Sequence, residues 1–133
     1  MKITKVTTYS THTTQFRNFN FVRVDTDEGI HGIGELFCVG ADVAVQEMVK
    51  YVSEWVVGMD PLDRERIQKR IFNYSRFPGG SVLYTAASAI DLALWDIAGK
   101  VANLPVYKLL GAVREKLHGN PGKRHAQAGK IRL

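Results

Sequence analysis

The chain has 133 residues, of which 45% are hydrophobic and 23% are charged, and this composition is typical of one globular domain rather than a disordered chain. Basic and acidic residues cancel within residues 1–113, so the whole net charge of +5 comes from residues 114–133. The sequence contains no unbroken run of about 18 apolar residues, from which we predict no membrane span. No signal-peptide pattern follows Met1, and Cys38 is the single cysteine, so we expect a reduced, cytoplasmic protein.

The first third of the chain predicts three β-strands. Residues 2–9 are rich in β-branched side chains, residues 10–18 are polar and predict a loop, and residues 19–26 alternate in polarity. A turn that includes Gly29 leads to a third strand over residues 30–35. We therefore predict a three-stranded antiparallel sheet in which the second and third strands form a hairpin.

Two features of these strands predict how the sheet packs. Gly32 and Gly34 in the third strand indicate a close approach of another element, or a bulge. In the second strand, the alternation places Asn20, Val22 and Val24 on one side. Because three strands cannot bury themselves, helices must cover one face of the sheet.

The rest of the chain predicts helices. Asp42 is expected to cap a first helix that ends at Val57, before Gly58. Asp60 and Pro61 supply a cap and a first-turn proline for a second helix.

The most apolar helix is predicted from Ser81 to about Ala102, and a short helical turn follows over residues 106–110. Its apolar stripe contains many alanines, which allow close contact with a helix or a sheet. Strands followed by helices define an α+β domain, a three-stranded antiparallel sheet followed by a helical bundle, with no complete barrel.

The acidic residues of these elements do not form an evident catalytic pair. Asp91 and Asp96 lie five residues apart and share no helix face, whereas Asp96 and Lys100 have the spacing of a helix ion pair. Glu35 closes the third strand, where we expect a structural hydrogen bond or ion pair, the alternative being a place at a substrate pocket. The four histidines lack metal-ligand spacing, and Cys38 has no neighbouring histidine in sequence.

Two segments resemble one enzyme family. Residues 21–35, FVRVDTDEGIHGIGE, are similar to a "V-x-T-D-E-G-I-x-G-x-G-E" hairpin. Residues 86–111, AASAIDLALWDIAGKVANLPVYKLLG, are similar to "A-I-D-x-A-L-W-D-I-x-G-K … L-P-V-Y-x-L-L-G-G". Over residues 1–116 the chain resembles the N-terminal capping domain of the mandelate racemase/muconate lactonizing enzyme family in the enolase superfamily, with an acid-sugar dehydratase character.

The resemblance implies a type of reaction and separate roles for the cap and the barrel. Members of the family remove the proton α to a carboxylate, a Mg²⁺ ion stabilises the enediolate, and a Lys or His acts as base. The cap closes over the barrel and contacts the substrate through two loops. In this chain those loops place Phe16, Arg17, Asn18, Phe37 and Cys38 as candidate substrate contacts, the alternative being solvated loops.

The chain departs from the family after the cap. Gly111 is followed by Ala112 instead of a second glycine, and Glu115 is the only acid in residues 114–133. The residues after Gly111 are too few to form a barrel, which needs about 200 residues or more. We therefore expect a capping domain at 1–116 and a basic, disordered tail at 117–133. We assign no catalytic residue and no metal ligand to this chain, and expect Mg²⁺ and a sugar-acid or other carboxylate substrate only in a longer parent enzyme. On this hypothesis the chain is a truncated product, inactive alone.

Other functions remain open from the sequence. The helix face that would meet a barrel could make the chain a non-enzymatic interaction module, a partner subunit that docks on a barrel, or a homo-oligomer. The basic tail suggests nucleic acid, but no aromatic residue interleaves its charges, so we expect no such partner.

Overall fold

A computed structural model describes residues 1–12, 18–37, 40–74 and 79–113. In these ranges three strands precede four helices: β1 (Ile3–His12), β2 (Asn18–Thr26), β3 (His31–Leu36), α1 (Asp42–Val56), α2 (Arg64–Tyr74), α3 (Ser81–Ala102) and α4 (Val106–Leu109). The strands form one antiparallel sheet in the order β1-β2-β3. The predicted α+β architecture, a three-stranded sheet followed by helices, is confirmed.

The first hairpin is longer than the sequence predicted. Residues from Ser10 onward were expected to form a loop, but β1 continues to His12, which lies opposite Asn18 in the ladder. Ser10 and Thr11 are polar, yet they lie opposite Asn20 and Phe19 of β2 in the antiparallel ladder. Cross-strand pairing has therefore outweighed local polarity at this end of the sheet.

The alternation predicted in β2 decides which face is covered. Asn20, Val22 and Val24 are buried, while Phe19, on the opposite face, is 47% exposed. The helices lie on the first of these faces, and the largest fully buried side chains come from both layers: Ile3, Val22, Val24, Leu36, Val45, Val49, Val52, Ile67, Ile71, Ile90, Leu94 and Ile97.

The two glycines of β3 allow α3 to pack directly on the strand. A Cβ atom on Gly32 would lie 1.9 Å from the carbonyl oxygen of Ala93, and a Cβ on Gly34 would lie 2.0 Å from the carbonyl oxygen of Ala89. Of the two alternatives that these glycines left open, a close approach or a bulge, the structure shows the close approach. We call this contact between β3 and α3 the glycine seam.

Two helix starts differ from the predictions. Ala41, not Asp42, is the N-cap of α1, and it makes no side-chain capping hydrogen bond; Asp42 lies in the first turn, where its charge still favours the helix dipole. The second helix begins at Arg64 instead of directly after Pro61. A turn comes first, because the Asp60 carboxylate accepts a hydrogen bond from the Leu62 backbone N–H at 2.9 Å.

The long helix α3 has the predicted bounds and ends at Asn103, which adopts a left-handed conformation with φ 52°. Although no unbroken apolar run is present, α3 is long and apolar enough by length and composition to cross a membrane. Half of its most apolar stretch is buried inside the domain. Packing against β3 and α1 accounts for this apolarity.

The amino terminus is tied to the hairpin turn. The Met1 ammonium lies 3.1 Å from the Glu28 carboxylate. This hydrogen bond and the negative charge of Glu28 raise the pKa of the Met1 ammonium above its ordinary value. The interaction secures the start of β1 against the turn between β2 and β3.

Candidate functional site

The candidate site lies at the end of the sheet where β1 ends and β2 begins. His12 faces Asn18 across the ladder, and Asn20 faces Leu36 on the other side of β2. Phe37, directly after β3, is therefore level with the start of β2. Two of the predicted substrate loops thus leave the sheet at the same end, which we call the loop end.

The predicted substrate contacts divide into two groups. Phe16, Arg17 and Cys38 lie outside the described residues. Asn18 opens β2 at the loop end, and Phe37 is 62% exposed beside it. The structure thus brings the described candidates to one end of the sheet, and their contact with a substrate stays a prediction.

A chain of polar contacts connects the first hairpin to α1. The side-chain oxygen of Asn18 lies 2.8 Å from His12 Nδ1, and its amide nitrogen donates to Asp42 Oδ2 at 2.9 Å. Three elements therefore meet through one asparagine side chain. From the sequence, His12 was weighed only as a metal ligand and Asp42 only as a helix cap, so the contact of each with Asn18 was not predicted.

A second link lies one step deeper. Gln46, one turn into α1, donates its side-chain N–H to the Asn20 side-chain oxygen at 3.0 Å. Asn20 is only 2% exposed, so this hydrogen bond satisfies a buried polar group of the sheet. The start of β2 is therefore held to α1 at two successive positions of its covered face.

Glu35 lies on the other side of the loop end. It is exposed and lines a shallow depression together with Phe37, Tyr84, Ser88 and Leu92. Within the described ranges, Glu35 makes no side-chain hydrogen bond or ion pair, so the structural bond expected at this position is not found there. A carboxylate beside an exposed phenylalanine is available to a ligand or to another part of a longer protein.

The outer edge of β3 is held by two charged side chains of α3. The Ile33 backbone N–H donates to Asp96 Oδ2 at 2.9 Å, and Lys100 Nζ donates to the His31 carbonyl oxygen at 2.7 Å. Asp96 and Lys100 also form the predicted ion pair, at 2.8 Å. Such contacts occupy edge groups that could otherwise pair with a foreign strand.

Asp91 has a separate structural partner. Arg64 of α2 donates to both of its carboxylate oxygens, at 2.9 and 3.2 Å, and the Arg64 guanidinium carbon lies 3.5 Å from the centroid of the Trp95 ring. Asp91 and Asp96 therefore serve different contacts. The prediction that they form no paired-carboxylate site agrees with this geometry.

The family's chemistry implies a metal ion, and the described residues do not fit one. Among residues 1–12, 18–37, 40–74 and 79–113, no group of three or more His, Cys, Asp or Glu side chains could hold a cation. Asp91 and Asp96 of α3 are already paired with Arg64 and Lys100. We therefore assign no metal-dependent step to these residues.

An apolar groove runs between the edge of β3 and the last two helices. Its lining includes Ile33, Leu92, Trp95, Val106 and Leu110. Ile33 is 49% exposed and Leu110 is 63% exposed. Exposed side chains of this kind, grouped in one groove, are typical of a surface that meets another protein or domain.

A three-stranded antiparallel sheet followed by helices that cover one of its faces is consistent with an enolase-type N-terminal capping domain. The family model described as "Mandelate racemase / muconate lactonizing enzyme, N-terminal domain" matches residues 2–111. The chain belongs to this family.

Curated relatives of the chain are D-galactonate dehydratases. The enzyme of Pectobacterium atrosepticum is 40% identical over 118 residues, and that of Ralstonia pickettii is 39% identical over the same length. Each alignment covers 88% of this chain and 30% of the relative. The chain thus spans less than a third of the length of these curated relatives.

Solved structures show the same fold. An enolase from Agrobacterium radiobacter, provisionally assigned as a galactarate dehydratase and solved with bound Na and L-malate, matches with a TM-score of 0.79 and 39% identity over 86% of this chain and 29% of its own. The 3,6-anhydro-D-galactonate cycloisomerase of Zobellia galactanivorans matches with a TM-score of 0.78 and 32% identity, over 86% of this chain and 33% of its own.

Proposed function

We propose that this chain is the capping, substrate-selecting domain of an enolase-superfamily dehydratase that acts on sugar acids. The observation that carries the proposal is the loop end, where the flanks of both predicted substrate loops meet. The D-galactonate dehydratase relatives support a hexonate-like substrate class. Dehydration of such an acid begins with removal of the proton α to its carboxylate.

The proposed role of the described residues is to cover and to orient the substrate. The exposed Phe37 supplies an apolar surface that excludes water, and Glu35 beside it can accept hydrogen bonds from hydroxyl groups. Phe16, Arg17, Asn18 and Cys38 remain proposed contacts on the neighbouring loops. Because the described residues offer no ligand set, Mg²⁺ and the base that moves the proton belong, in this proposal, to other parts of a longer cytoplasmic enzyme.

A graft tests this function directly. Residues 1–111 replace the matching segment of the Pectobacterium atrosepticum relative, and dehydration of D-galactonate and of other hexonates is measured with Mg²⁺ present. We expect a folded hybrid that dehydrates at least one hexonate, and no turnover by the 133-residue chain alone. A folded, metal-loaded hybrid that dehydrates none, or turnover by the chain alone, would contradict the proposal. The parent relative and a graft carrying a disruptive Gly34→Val change serve as controls.

A second candidate function rests on the apolar groove. Exposed Ile33, Leu92 and Leu110 favour a module that docks as a separate subunit on a barrel or on a second copy of itself. Size-exclusion chromatography with light scattering measures whether the isolated chain associates with a second copy of itself. A monomer at all concentrations argues against self-association. A dimer that dissociates when Leu110→Asp is introduced supports it.

A further inference from the structure

The polar contacts at the loop end fix the protonation pattern of one histidine. The Asp42 carboxylate only accepts hydrogen bonds, so the Asn18 group that faces it at 2.9 Å is the amide N–H. The other end of the Asn18 side chain is then the oxygen, and it faces His12 Nδ1 at 2.8 Å. An oxygen accepts, so Nδ1 of His12 carries the proton.

The consequence concerns the opposite nitrogen of the ring. In a neutral imidazole only one nitrogen is protonated, and the other is a hydrogen-bond acceptor. Because the Asn18 oxygen accepts a hydrogen bond from Nδ1–H, Nε2 of the neutral His12 ring presents a lone pair. Asp42 holds Asn18, and Asn18 in turn sets the tautomer and the ring orientation of His12, as outer contacts orient a functional histidine in other sites.

The position of His12 gives this lone pair a use. His12 is exposed and is the last residue of β1, at the loop end. Most groups of a sugar acid away from the reacting carbon are hydroxyls, which donate hydrogen bonds to such an acceptor. We propose that His12 Nε2 accepts a hydrogen bond from a substrate hydroxyl, and that Asn18 and Asp42 are positioning residues for it.

This inference rests on the proposed function and deepens it by naming one recognition atom. It also changes the role of Asn18 from a direct contact to a group that acts through His12. Both ends of the Asn18 amide are engaged by His12 and Asp42, so His12 Nε2 is a neutral acceptor that the contacts among the described residues leave open.

The tautomer is measured by long-range ¹H–¹⁵N correlation spectra of the imidazole in the 133-residue chain, at a pH where His12 is neutral. The expected result is a pyrrole-type Nδ1 and a pyridine-type Nε2. Asn18→Leu should move the population toward the Nε2–H form. Asn73→Leu, at an exposed position of α2, is the matched control and should leave the His12 pattern unchanged.

Binding is measured by titration with D-galactonate, with acetate as the probe that has a carboxylate but no hydroxyls. The His12 ring resonances should shift saturably with D-galactonate and not with acetate. Loss of one oriented hydrogen bond should weaken the apparent affinity of the Asn18→Leu chain by about two- to ten-fold. A pyridine-type Nδ1 in the unmodified chain, or no saturable shift, would overturn the inference.

The outcomes separate this inference from the proposed function. An active graft whose His12→Leu variant keeps the KM for D-galactonate rejects the role of His12 and leaves the capping function intact. An inactive but folded graft, with a saturable His12 shift in the isolated chain, rejects the dehydratase role and leaves a hydroxyl-binding histidine. For the His12→Leu variant of an active graft, we expect a higher KM for D-galactonate and a kcat that changes much less.

Discussion

The glycine seam and the loop end are held together by different kinds of contact. At the seam, α3 packs on β3 so closely that the backbone carbonyls of Ala89 and Ala93 occupy the space of side chains on Gly34 and Gly32. At the loop end, exposed polar groups make single hydrogen bonds, such as the one from Asn18 to Asp42. Tight backbone contact tolerates few substitutions, whereas an exposed polar contact can change at small cost to the fold.

This difference separates the stability of the domain from its proposed role in selecting the substrate. A domain whose core stability lies in α3 and β3 can vary its loop end without unfolding. The seam also positions the loop end, because β3 leads directly into Phe37 and the hairpin partner β2 begins at Asn18.

The largest effect is expected for Gly34→Val. Its Cβ would meet the Ala89 carbonyl oxygen at 2.0 Å, and backbone atoms cannot yield as a flexible side chain does. We expect a loss of about 3 kcal/mol or more in the free energy of unfolding, or failure to fold. Urea denaturation followed by circular dichroism measures it.

Gly29→Asn is the matched control for that change. Gly29 adopts φ 78° in the hairpin turn and has no atom within 4 Å of an added Cβ, and asparagine tolerates this conformation. The loss there should stay below about 1 kcal/mol. Equal losses at the two glycines would show that the seam is not the tight contact described.

A smaller effect is expected for Asp96→Asn at the edge of β3. The substitution removes the charge that binds both the Ile33 N–H and Lys100, so we expect a loss of about 1 to 2 kcal/mol. Hydrogen exchange should rise at the Ile33 amide before it rises elsewhere in β3. Glu47→Gln, in an exposed pair with Lys50, is the control and should change stability by less than about 1 kcal/mol. No difference between the two variants would contradict the role of Asp96.

Asn18→Leu tests the loop end on the same scale. Its two hydrogen bonds lie at an exposed site, so we expect less than about 1 kcal/mol of lost stability, in contrast to Gly34→Val. Thermal melting of both variants gives the comparison. A loss at Asn18 as large as that at Gly34 would remove the distinction between a supporting seam and a variable loop end.

The smallest expected effect is a pH dependence at the amino terminus. Glu28 raises the pKa of the Met1 ammonium in the folded state, so this contribution to stability is present below the ordinary pKa of about 8 and is lost as the pH rises through the raised value. Glu28→Gln should therefore shift the urea midpoint slightly at neutral pH and not at strongly alkaline pH. An equal shift at both pH values would point to the turn rather than to the charge pair.

The sequence was most informative where a pattern has few physical meanings. Alternation in β2 placed Val22 and Val24 on one side, and both are buried; the paired glycines of β3 left a close approach or a bulge, and the structure shows the close approach. The length and apolar stripe of α3 left little choice of structure. These features depend on neighbours that are near in sequence or on an unusual residue.

The sequence was less informative where distant residues decide. β1 extends to His12 because β2 pairs with it, and Asp42 binds Asn18, a residue 24 positions away, instead of capping its own helix. The contact between His12 and Asn18 could have been found by extending the hairpin register, in which the two residues face each other across the loop. Polarity alone assigned both of them to that loop.

In the proposed function, the cap selects the substrate and leaves the chemistry to other parts of the enzyme. The most direct measurement is the ratio of kcat/KM for D-galactonate and a hexonate that differs only at a hydroxyl far from the carboxylate, determined for the Pectobacterium atrosepticum relative and for its graft with residues 1–111. We predict that the ratio changes with the cap, while exchange of the α-proton with solvent persists in both proteins. An unchanged ratio in an active graft would contradict the claim.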